Sequence, residues 1–234
     1  MANCNESQNG PEGLGPSGDA SPPMAAAGMA SSADYYDEMK IDALKEIGNI
    51  GASHASTALS NLTHQDILID VPDCLVVRAE HIPQAFGEGL EEEVVAIYFE
   101  ANGAQKGHIL MVLPSDMTMQ LSDLLLGREP VEGRLIDDMD KEAAAEIGNI
   151  CTSAYLSAIS NFIGIPLLPS PPGVAVDMLH AILQFPASLA AENYEYIVLI
   201  KTTFRYATHS FPGFILYIPD PESQRLLMAK FGIE

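Results

Sequence analysis

Two short stretches of this chain place a carboxylate beside a carboxamide at the same spacing. Asp42-Ala-Leu-Lys-Glu46-Ile-Gly-Asn49-Ile-Gly51 returns one hundred residues later as Glu142-Ala-Ala-Ala-Glu146-Ile-Gly-Asn149-Ile-Cys151. An acid and an amide three positions apart are neighbours on a helix surface. Together they offer a negative charge that can meet a cation, and a neutral group that both accepts and donates hydrogen bonds. With Glu46 as zero and about 100° per residue, Asp42, Asn49, Ser53 and Thr57 fall within roughly 80° of it. Leu44, Ile47, Ala55, Ala58, Leu59 and Leu62 gather on the opposite side, so one face is buried and the other carries the pair. The second stretch divides the same way, with Glu142, Glu146, Asn149, Ser153 and Ser157 opposed to Ile147, Ala158, Ile159 and Phe162.

Asparagine is a mediocre helix former, and other positions differ freely between the two stretches: Lys45 against Ala145, His54 against Ala154, Ser56 against Leu156. Glu and Asn do not differ. Each Asn is also followed, after twenty-two intervening residues, by a proline, Pro72 in one case and Pro172 in the other.

The pattern Asp42-x3-Glu46-x2-Asn49 followed by Pro72 resembles the signature of the CheC, CheX and FliY family, phosphatases of the chemotaxis response regulator CheY. The resemblance covers about residues 36–234, and the presence of two motifs is most similar to the CheC branch. One departure is Glu142, where the family pattern shows Asp or Ser; the Glu and Asn that the resemblance makes catalytic, Glu46, Asn49, Glu146 and Asn149, are intact. An aspartyl phosphate is an acyl phosphate, so its hydrolysis needs one water held in line with the phosphorus and the leaving carboxylate. A carboxamide can hold that water without bringing negative charge to the phosphoryl oxygens. The resemblance therefore implies that Asn49 and Asn149 position water and that Glu46 and Glu146 contact a lysine of the receiver. It implies no cofactor of this chain's own, Mg2+ supplied by the bound receiver, and phosphorylated CheY and CheD as partners. The competing expectation is a non-catalytic CheY-binding scaffold of the FliM flagellar-switch type.

The elements that would position these groups also recur. Hydrophobic periodicity predicts a first helix from near Asp34–Asp37 to about Asn61, then a strand Ile67–Pro72 closed by its proline and an extended segment Leu75–Ala79. Glu91–Ala101 and Gly107–Pro114 read as a hairpin turning at Asn102-Gly103, followed by a helix Asp116–Leu126 capped by Ser115 and stopped by Gly127. In the second half, Val174–Val176, His180–Phe185, Tyr196–Phe204 and Phe214–Ile218 read as strands, and Gly213–Pro219 echoes Gly107–Pro114. The expected architecture is α+β: an internally duplicated helix-plus-strands repeat, about 34–135 and 136–234, forming one pseudo-twofold CheC-like domain with an antiparallel sheet. Residues 1–33, rich in Gly, Pro, Ser and Ala, read as a disordered tail.

Composition narrows the function classes. With 234 residues, 47% of them hydrophobic, the chain can bury a substantial core. Its 32 acidic against 11 basic residues give a formal net charge of -21, which repels phosphate backbones and anionic lipid and argues against both as partners. Cys4, Cys74 and Cys151 form no CxxC pair or even-numbered framework, which fits a reducing cytoplasm. No apolar run approaches the roughly 20 residues that cross a bilayer, and the N-terminus lacks the features of a secretory signal. The six histidines show no metal-ligand spacing, and no P-loop, nucleotide fingerprint or GxSxG is present.

Overall fold

In a computed structural model describing residues 38–230 except 88, 104, 105, 132 and 193, each acid–amide stretch lies within a 26-residue helix. The expected tail, residues 1–33, lies outside the described residues. The first helix, α1, spans Glu38–Thr63, and the second, α4, spans Asp138–Ile163. At the start of α4 the Asp137 side chain accepts from the Asp140 N–H while the Asp140 side chain accepts from the Asp137 N–H, a reciprocal cap. Gly164 closes this helix in the left-handed region at φ 75°. At the end of α1 that conformation falls to His64, at φ 56°.

Among the described residues, seven strands form a single sheet in which every pairing is antiparallel. They are β1 (Ile67–Arg78), β2 (Glu93–Gly103), β3 (Gly107–Pro114), β4 (Leu167–Pro169), β5 (Gly173–Met178), β6 (Tyr196–Tyr206) and β7 (His209–Pro219). Their order is β1-β6-β7-β3-β2-β4, with β5 also on β2. The two hairpins meet at the centre, where Gly107 of β3 faces Pro219 of β7 and Val112 faces Phe214. The strand after α1 lies beside the second half's hairpin, and the strands after α4 lie beside the first half's. The sheet therefore runs unbroken across the midpoint of the chain.

Both faces of the sheet are covered, which explains why β2, β3, β6 and β7 read as continuous apolar runs rather than alternating ones. Helices α1 and α4 lie on one face, over a core that includes Ile47, Cys74, Ile97, Phe99, Met111, Ile147, Cys151 and Ile200. The short helices α2 (Ile82–Phe86), α5 (Leu179–Ile182) and α6 (Gln184–Ser188) enclose the other, with Phe86, Leu110, Leu183, Leu199 and Leu216. Two further helices, α3 (Ser115–Leu126) and α7 (Pro221–Lys230), follow the hairpins. Glycine sets the helix approach: a Cβ at Gly51 would lie 2.8 Å from Tyr155 Cδ1 and 3.0 Å from Tyr155 Cα, so α1 rests against the α4 backbone there. At Gly148 it would lie 2.7 Å from Ile97 Cγ2, so α4 sits directly on β2.

Four sequence expectations are corrected. Strand β1 is not closed by Pro72 but runs on to Arg78, because a register break between Asp70 and Asp73 takes the proline, which has no N–H to give, out of the ladder. His180–Phe185 is helical: Leu179 and Leu183 are both buried, a spacing of one helical turn that a short apolar run does not distinguish from a strand. Ser115 is the first residue of α3 rather than its cap, Pro114 holding the cap position. Strand β2 continues through Asn102 and Gly103 because β4 pairs with its end, so the hairpin reverses beyond Gly103.

Candidate functional site

On α1, Asp42, Glu46 and Asn49 are all exposed, and neither carboxylate has a partner among the described residues. Asn49 does have one. Its Oδ1 accepts a hydrogen bond from the Val71 N–H at 3.2 Å, and because an N–H donates only to an acceptor, this orientation points the amide nitrogen away from the strand. The bond belongs to a series. Ser56 Oγ accepts from the Ile69 N–H at 2.7 Å, and Ser60 Oγ accepts from the Ile67 N–H at 3.0 Å while donating to the Ile67 carbonyl at 3.1 Å. Strand β1 is the outer strand beyond β6, and an outer strand presents N–H groups that no neighbouring strand can take. Three α1 side chains take them at alternate strand positions. Pro72, exposed, sits at the break just beyond Val71.

The second site has the same residues and different support. Glu142 and Glu146 are exposed and Asn149 is half-buried, and none of the three has a partner among the described residues. The position corresponding to Val71 is Pro171, which carries no N–H, and the position corresponding to Ser56 is Leu156, 2% exposed. Strand β4 ends at Pro169 and β5 begins at Gly173, leaving half-buried Pro172 in the gap. What α4 has instead is an anchored start. Asp140, fully buried, is held by Arg134, Arg128 and the Ser122 hydroxyl, and its Oδ2 accepts from the Asp137 N–H at 2.9 Å. Arg134 also reaches Asp123 at 2.8 Å. Burial alone would push the Asp140 carboxyl up; the hydrogen bonds from Arg134, Asp137, Ser122 and Arg128 overcome it and hold the group well below the usual carboxylate range.

Sequence reasoning missed Ser56, Ser60 and the Val71 N–H, and also the arginine cluster. Ser60 left a trace, since Ser160 stands at the matching position. Asp137-x-x-Asp140 ahead of an apolar-periodic run was a readable cap.

A cavity of about 420 Å³ lies across the sheet, lined by Ala96, Tyr98, Leu110, Val174 and Phe185 among others, and its lining includes none of the candidate residues. Beside Asn49, Ile50 is 47% exposed, and on the corresponding face of α4 Met139 is 52% exposed. The polar pairs thus stand on helix faces that also expose apolar side chains, a combination suited to a macromolecular partner. Burial pushes the Cys74 and Cys151 thiols up to about 12, which leaves them inert as nucleophiles near neutral pH. Among the described residues no three of His, Cys, Asp and Glu converge as a metal set, and no helix is long and apolar enough to cross a membrane.

Residues 39–76, which hold the first acid–amide helix and the strand that Asn49 touches, match the model of the CheC-like family. The CheY-P phosphatase CheC of Bacillus subtilis (strain 168) is 27% identical over 199 residues, covering 83% of this chain and 95% of that protein. The chain is similar to the CheC-like family over residues 39–76. Its fold is shared with Thermotoga maritima FliY, at a TM-score of 0.68 and 22% identity over 84% of this chain and 98% of the other. It is also shared with a chain in the FliM-SpeE complex from H. pylori, at a TM-score of 0.64 and 13% identity over 85% of this chain and 97% of that one. The CheC-like match ends close to the end of β1 and so spans the polar series from α1 to that strand; the second site lies beyond it and stands on its own residues.

Proposed function

We propose that this CheC-like chain is a phosphatase that hydrolyses the aspartyl phosphate of a phosphorylated CheY receiver. The observation that carries the reading is the pair of outward acid–amide faces, on two helices that cover one side of the sheet, with Glu46, Glu146 and Asn149 left without partners among the described residues. Supporting it is the likeness, over most of both chains, to a relative named as a CheY-P phosphatase.

In this mechanism the receiver seats its phosphorylated pocket on the helix face. The carboxamide of Asn149 or Asn49 accepts a hydrogen bond from one water and holds it in line with the phosphorus. Water oxygen bonds to phosphorus as the bond to the aspartyl oxygen breaks; the products are inorganic phosphate and the receiver's free carboxylate, and the water's proton leaves with phosphate or solvent. Glu146 and Glu46 would be repelled by the phosphoryl group and instead meet the receiver's lysine. Mg2+ is the receiver's, held by its own acids. Asp42, Glu142, Pro72 and Pro172 shape the faces. A cytoplasmic location and CheD as a second partner belong to the same proposal.

The test is the lifetime of phosphorylated CheY with and without the protein. A shortened lifetime that reverts when Asn49 and Asn149 are both changed to Ala supports the phosphatase, each lost transition-state contact being worth about 10²–10³ in rate. Binding with an unchanged lifetime would instead indicate a scaffold of the FliM type.

A further inference from the structure

The two amides face different competition for their acceptor oxygen. We infer that the Val71 N–H withholds the Asn49 carboxamide from catalysis, whereas Pro171, having no N–H, leaves Asn149 free, so that the second helix carries most of the turnover. This rests on the phosphatase reading and assigns Val71 and Pro171 as positioning residues within it.

Holding a water for attack requires the carboxamide oxygen as an acceptor. At the first site that oxygen is directed inward onto β1, 3.2 Å from the Val71 nitrogen, and only the amide N–H groups face out. The Val71 N–H has no alternative acceptor there, because the register of β1 against β6 skips Val71 and Pro72. Turning Asn49 outward would therefore orphan a backbone donor on a residue 2% exposed. Ser56 and Ser60 tie the same helix to the same strand, so α1 does not move away from β1 without breaking those bonds as well. At the second site the corresponding residue, Pro171, has no such donor. Ser170-Pro171-Pro172 interrupts the strand, and Ser170 turns to β2, where its Oγ accepts from the Glu100 N–H at 2.9 Å. The Asn149 side chain makes no hydrogen bond among the described residues, so both ends of its carboxamide can meet a water.

The difference should be worth one neutral hydrogen bond, about 2- to 12-fold in rate. The experiment measures kcat and KM for dephosphorylation of phosphorylated CheY with the full chain. Asn149→Ala should lower kcat about 2- to 12-fold more than Asn49→Ala does. In the Asn149→Ala background, Val71→Pro copies the second site's Pro-Pro sequence and should raise kcat with little change in KM, a gain that lost stability cannot produce. In the Asn49→Ala background, Pro171→Val supplies a backbone N–H and should lower kcat, with thermal unfolding confirming an intact fold. Equal kcat losses in the two single Asn variants, or a folded Val71→Pro variant no faster than its parent, would overturn the inference while leaving the phosphatase standing. If Val71→Pro does not fold, an unchanged kcat in Pro171→Val overturns it. Failure of the native protein to shorten the phosphate's lifetime removes the phosphatase reading underneath.

Discussion

Replacing Asp140 with Asn should show how far the second acid–amide helix depends on the charged cluster at its start. The carboxylate is fully buried, two residues before Glu142, and accepts from two arginines, a serine and a backbone N–H. Removing one member of a buried ion pair costs about 3–5 kcal/mol, because the remaining charge stays desolvated. Here Asp123 still reaches Arg134 at 2.8 Å and Arg128 at 3.1 Å, and Asp137 reaches Arg128 at 3.2 Å, so the lower end, about 3 kcal/mol, is expected. That is a large share of the roughly 5–15 kcal/mol that holds a domain together. Urea unfolding at pH 7 should show it as a lower midpoint at unchanged slope. The pH dependence gives a second reading. A carboxyl held below its ordinary range in the folded state contributes stability that is complete above that range and declines as pH falls through it toward the folded value. The native protein should therefore lose stability on acidification below about pH 4, more steeply than Asp140→Asn, which has no such proton to take up. A loss under about 1 kcal/mol at pH 7, with parallel acid profiles, would refute the claim that this carboxylate anchors α4.

Other changes test other parts of the account. Gly51→Ala would set a methyl 3.0 Å from the Tyr155 Cα, which must push α1 from α4; an overpacking cost of about 1–3 kcal/mol outweighs the roughly 1 kcal/mol gain in helix propensity, and thermal unfolding should fall. His64→Gly removes an L side chain from φ 56° at an exposed helix end and should stabilise by about 1 kcal/mol, raising the melting temperature by roughly 2–4 °C. Ile50→Asp places a charge on the exposed apolar side chain next to Asn49; in an Asn149→Ala background it should raise KM for the phosphorylated receiver with little change in kcat, and an unaltered KM would show that this residue does not touch the partner.

What could be read from the sequence was whatever repeats along the chain with a helical or strand period. The faces of α1 and α4 were largely legible because Leu44, Ile47, Ala55 and Leu59, like Ile147, Ala158 and Ile159, recur at helical spacing and are buried, whereas Ala58, Leu62 and Phe162, expected on the same faces, are exposed. The hairpin strands were legible from their β-branched runs. The course of β1 past Pro72 was not, because a register break is a property of two paired strands and leaves only an ambiguous proline in one of them. Nor was the arginine cluster, since Arg128 and Arg134 look like parts of a polar connection until Ser122 of α3 and Asp140 of α4 are brought together by the fold.

A position that differs between the two halves is not always free to vary. Ser56 against Leu156 reads as a position free to vary, yet Ser56 accepts from the Ile69 N–H on the outer strand, and Leu156 is core where the corresponding strand is broken. The same reasoning separates the two asparagines, which are identical in sequence. Asn49 has a structural use, filling an unpaired strand N–H, and that alone accounts for an amide at its position. Asn149 has no such use among the described residues, and an asparagine is a poor choice for the middle of a helix. A carboxamide that costs helix stability and makes no bond among the described residues is the stronger indication of chemistry directed outward, so the second helix is the better candidate for it than the first.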